Sequence, residues 1–108
     1  MRELLLCFSL FVASFSASAD ETVTDALIVR FYAQGVAESS AHLIATSKTV
    51  DASCNGRLYI DFPDKALFTV ALAKHIAGTP VDIIYRPAGG DRNAFGHGTF
   101  HCRVLSIF

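Results

Sequence analysis

Residues 57–86 read RLYIDFPDKALFTVALAKHIAGTPVDIIYR, and three elements follow one another along them. Arg57–Phe62 is short and rich in Leu, Tyr, Ile and Phe, the composition of a strand. Asp64–Ala77 is the one convincing helix. Asp61 and Asp64 stand beside Pro63 as candidate N-terminal caps, and Gly78 suits the left-handed residue that stops a helix. Pro80–Arg86 returns to strand composition, with Pro80 at the first position, where a missing N–H does least harm. The apolar residues of the helix cover more than one stripe. It is therefore expected to be buried on more than one side, by its own sheet and by a partner subunit.

Upstream, Ala26–Tyr32 (ALIVRFY) and Ala41–Val50 (AHLIATSKTV) read as two more strands, the second with imperfect alternation, and Asp51–Gly56 (DASCNG) as a turn. Downstream, Pro87–Gly98 (PAGGDRNAFGHG) reads as a long turn-rich loop and Thr99–Phe108 (TFHCRVLSIF) as the last strand. The order is strand, strand, strand, helix, strand, strand. That is the order of an OB-fold, so the expected fold is mainly β: a small five-stranded barrel with one helix between strands three and four, with an unclosed α+β sheet as the fallback. In such a barrel the third and fifth strands are parallel neighbours, which places Cys54 and Cys102 at the same end. An even pair of cysteines in a small exported domain reads as a disulfide, and closing so long a loop is worth roughly 4 kcal/mol on the chain-entropy argument.

Export is indicated by residues 1–19, MRELLLCFSLFVASFSASA. Arg2, an apolar run from Leu4 to Phe15 and the small-residue ending Ala17-Ser18-Ala19 have the form of a secretory signal peptide cut near Ala19. The run is shorter than the roughly 20 residues that span a bilayer. Cys7 would leave with it, and residues 20–108 would form a single periplasmic or secreted domain.

The composition narrows the function. The 108 residues are 52% hydrophobic, with 9 Lys+Arg against 10 Asp+Glu and a formal net charge of -1. Disorder needs low hydrophobicity and high charge, and a nucleic-acid surface needs a basic excess, so both are excluded. No nucleophile elbow, zinc-helix motif or phosphate-cradling glycine loop is present. His97 and His101 are four apart on extended chain, too far to share an ion without a bend, so no metal is expected, a metal-binding envelope protein being the third alternative; no cofactor is expected either. Lys65 and Lys74 read as solvated or interface charges. What remains is aromatic: Tyr32, Tyr85 and Phe95 stand near strand ends, where a ring can stack on a sugar or enter a partner's pocket. A non-catalytic binding protein is the expectation.

The stretch Ala71–Pro87, ALAKHIAGTPVDIIYRP, with its Gly78-x-Pro80-Val81-x-Ile83-x-Tyr85-x-Pro87 pattern, resembles the B subunits of subtilase cytotoxin and typhoid toxin. The resemblance implies a homopentameric ring that binds sialylated glycans and carries a separate enzymatic A subunit, with central helices packed around the ring axis. It also implies a sugar pocket of a serine and polar neighbours near the first two strands, the region of Glu38, Ser39 and Ser40. The alternative expectation is a monomeric periplasmic inhibitor or immunity-type protein that acts through the 87–98 loop.

Overall fold

The computed structural model describes residues 19–35 and 39–108. Most of the expected signal peptide, and Glu38, lie outside the described residues. The elements are β1 (Glu21–Ala26), β2 (Ile28–Tyr32), β3 (Ala41–Thr46), β4 (Leu58–Asp61), α1 (Lys65–Ala77), β5 (Val81–Arg86), β6 (Arg92–Ala94), β7 (Gly98–Phe100) and β8 (Arg103–Ile107). Six strands form one mixed sheet in the order β1-β5-β8-β4-β3-β2, and β6 and β7 form a separate antiparallel ribbon. The fold is mainly β with one helix among the described residues.

The sheet is open, not the closed five-stranded barrel expected. Its first strand is broken in two, and the halves pair with different neighbours at opposite edges. Asp25 takes a positive φ of 52°, and the β1–β5 register shifts between Val23 and Ala26. The Asp25 N–H is held by the Asp82 carboxylate at 2.9 Å. Leu27, between the halves, donates its N–H to Ser47 Oγ and accepts the Ser47 N–H, both at 2.9 Å. β1 itself was not expected, because in ETVTDA only Val23 and Ala26 are buried.

The main core gathers Ile28, Ile44, Leu58, Ile60, Ile83 and Val104 from the sheet with Ala71 from α1, and Leu67 and Phe68 pack against it. A second cluster lies across β3 and β4: Ala41, Leu43 and Tyr59 meet Ala94 and Phe100 of the ribbon. β3 is thus covered on both faces, which accounts for its broken alternation, since a strand buried on both sides has no polar face to display. The 87–98 segment is more ordered than a plain loop, because β6 and the start of β7 lie in it. The last strand is interrupted at His101 and Cys102, where the chain leaves the ribbon and enters the sheet as β8.

β4 and β8 run parallel, with Tyr59 opposite Arg103 and the Tyr59 N–H donating to the Cys102 carbonyl at 2.8 Å. That pairing sets Cys54 beside Cys102, with Cα atoms 5.5 Å apart, and they form the disulfide.

At the start of α1 the caps differ from expectation. Asp64 occupies the N-cap position but makes no side-chain cap bond. Its carboxylate accepts instead from Arg103 Nη2 at 3.1 Å, while Asp61, 7% exposed, accepts from Arg92 Nε at 2.9 Å. Charge-assisted bonds to guanidinium groups are stronger than a neutral N–H cap, and they draw both carboxylates away from the helix. The other end is as expected: Gly78 has φ 67° and donates its N–H to the His75 carbonyl at 3.3 Å.

Candidate functional site

The β6–β7 ribbon is fixed to the sheet by two consecutive serines. Ser39 Oγ accepts the Phe95 N–H at 2.8 Å and donates to Gln34 Oε1 at 3.3 Å. Ser40 Oγ accepts the Asn93 N–H at 3.0 Å, and the Ser40 N–H donates to the Asn93 carbonyl at 2.8 Å. At the ribbon's base the Tyr59 hydroxyl lies 2.8 Å from the Gly89 carbonyl and 2.7 Å from that of Gly90, within donating distance of both. Burial raises the Tyr59 pKa above the ordinary phenol range, which keeps the hydroxyl a donor.

Docking the ribbon creates an aromatic rim. Tyr32, half-buried at the end of β2, meets the His97 ring edge-on at 5.0 Å between centroids. The Arg57 guanidinium lies 5.0 Å from the Tyr32 centroid and 6.0 Å from that of Phe100. Beyond them Phe95, 57% exposed, stands between β6 and β7. The rim therefore presents a cation held over a flat ring, an imidazole and a bare phenyl. Such a set can stack on planar or pyranose faces and attract an anion.

Four of the sequence-predicted site residues come together here: Tyr32, Ser39, Ser40 and Phe95. The two serine hydroxyls are engaged in holding the ribbon, so the rings and Arg57 form the accessible surface. Tyr85 lies elsewhere. It is 3% exposed in the main core, its hydroxyl accepts the Asp51 N–H at 2.8 Å, and burial raises its pKa. His101 is turned to the Pro87 carbonyl at 2.7 Å. Among the described residues no group of three or more His, Cys, Asp or Glu is placed to hold a metal. Arg57 and His97 join the site without having been expected there. Nothing in the spacing of positions 32, 57, 97 and 100 links them, because the link is the ribbon folding back over β3 and β4.

Comparison with family models, with curated proteins and with solved structures finds no match to this chain.

Proposed function

We propose that the chain is an exported, non-catalytic binding subunit, similar to the toxin B subunits, that self-associates through α1 and recognises a glycan or a partner protein at the aromatic rim. The observation that carries this reading is the outer face of α1. Leu67, Phe68 and Ala71 turn inward to the core, yet the exposed residues Ala66, Val70, Ala73 and Ala77 follow one another at steps of four, three and four. Those steps lay a second apolar stripe along the 13-residue helix, and Ile76 beside it is 75% exposed. A helix apolar on both sides is half-covered as a monomer, and a second copy of the same helix fits a small-residue seam of this kind.

Other observations support the remaining parts. β1 and β2 are one chain segment across Leu27 and lie at the two edges of the sheet order, as the shared, bent first strand of an OB-type barrel does. The disulfide suits an oxidising compartment, in keeping with residues 1–19 as an export signal. At the rim, Arg57 beside the Tyr32 ring suits the carboxylate and ring of a sialylated sugar. Native mass spectrometry of the exported protein, with and without reductant, tests the whole reading. A ring of five chains starting after Ala19 is expected, followed by hits on sialylated glycans; a monomer overturns it.

A second reading has its own support. The ribbon is pinned at Ser39, Ser40 and Tyr59 and carries Phe95 bare between its strands, which is the form of a rigid plug for a partner's cleft. A monomeric inhibitor acting through residues 87–98 would lose its target with Phe95→Ala and keep its fold.

A further inference from the structure

On the other side of Ser39 from the ribbon, Gln34, His42, Phe62, Pro63, Lys65 and Phe68 line an open pocket of about 430 Å³. Its walls are aromatic: the His42 ring lies 4.6 Å from that of Phe62, tilted by 30°, and 4.4 Å from that of Phe68. Its polar groups are all set as donors. The Gln34 N–H donates to His42 Nδ1 at 2.9 Å, so the neutral ring carries its proton on Nε2, which has no partner among the described residues. Ser39 Oγ donates to Gln34 Oε1, which assigns the amide NH2 group to the free side of that side chain. Lys65 is exposed and makes no ion pair among the described residues. Among the described residues no carboxylate lines the pocket.

A pocket with apolar ring walls, an imidazole N–H, an amide NH2 and an ammonium is complementary to one kind of ligand. We infer that it binds a small aromatic carboxylate, with the ring against Phe62 and Phe68 and the carboxylate on His42 and Lys65. The inference does not depend on the aromatic rim or on assembly through α1, because Lys65 and Phe68, the pocket residues on α1, are not among the seam residues Ala66, Val70, Ala73 and Ala77, and none of the pocket residues belongs to the rim.

The test titrates the intact protein with benzoate and phenylacetate, and in parallel with benzyl alcohol as the uncharged counterpart, followed by NMR of the Gln34 amide and the His42 ring. Saturable shifts confined to these signals are expected for the two carboxylates, with the alcohol at least tenfold weaker. Lys65→Met, at an exposed position, is expected to weaken carboxylate binding about fivefold, the upper range for an exposed ion pair. Arg57→Met, at the rim and not among the pocket's lining residues, is expected to leave it unchanged. Absence of saturation in the millimolar range, equal binding of the alcohol, or an unchanged affinity in Lys65→Met would each overturn the inference.

Discussion

Ser39 and Phe95, 56 positions apart in the chain, are joined by one hydrogen bond in which the serine hydroxyl accepts the Phe95 N–H at 2.8 Å. Ser39 is 6% exposed, so removing its oxygen leaves a donor stranded where water has poor access. Such a loss costs about 1–3 kcal/mol. Ser39→Ala is expected to loosen the ribbon before the sheet, so that amide exchange at Phe95 accelerates while β4 and β8 keep their protection. Uniform acceleration across the sheet would show instead that the ribbon and sheet unfold together.

Gly89 is required for a different reason. A Cβ there would meet the Arg103 Cβ at 2.5 Å, with the Arg103 N and the Arg86 carbonyl each at 3.1 Å. The obstacles are backbone and the first side-chain carbon, neither of which can swing aside. Gly89→Ala is expected to destabilise the protein by about 1–3 kcal/mol, as overpacking does, read from the urea midpoint. The same change at Gly35, where nothing among the described residues lies within 4 Å, is the control and should cost little.

Val70→Glu separates packing within one chain from packing between chains. Val70 is 37% exposed, so in a monomer the change should stay within about 0.5 kcal/mol. In an assembly seamed by α1 it places a charge at the contact, and the subunit count should fall by native mass spectrometry while the melting of the dissociated chain hardly moves. An assembly that survives Val70→Glu would place the contact on another surface.

His42 predicts a pH dependence. Burial of its ring, packed with Phe62 and Phe68, holds its pKa below the ordinary histidine value. The unfolded chain therefore takes up this proton more readily than the folded one. The stability due to the neutral ring is complete above the unfolded value of about 6.5 and is lost as the pH falls through the depressed folded value. The urea midpoint of the wild type should accordingly drop more steeply between about pH 7 and 5 than that of His42→Gln; parallel slopes would assign the acid sensitivity to other groups.

How much of this was legible in the sequence differs from element to element. Helix α1, its glycine stop and the strands on either side were plain, because 57–86 carries strong local signals at each boundary. The disulfide was legible from two cysteines and the parallel pairing of the strands that follow them. β1 was not, since it is an edge strand with two buried side chains and otherwise polar residues. The ribbon was hidden for the opposite reason: PAGGDRNAFGHG is dominated by turn formers, and its strands are three residues each, held by Ser39 and Ser40 from outside the segment. Asp61 and Asp64 misled because cap preference is a local rule, while the partners that claimed them, Arg92 and Arg103, arrive from far along the chain. The same holds for the rim, where Arg57 reaches Tyr32 only through the sheet.

The Cys54–Cys102 bridge makes residues 54–102 a covalent ring that holds β4, α1, β5 and the whole ribbon. A protease that severed one peptide bond at the exposed Gly96-His97-Gly98 corner would open that ring into a line without separating anything. On a denaturing gel the nicked chain would run as a single species until a thiol was added, and only then as two fragments.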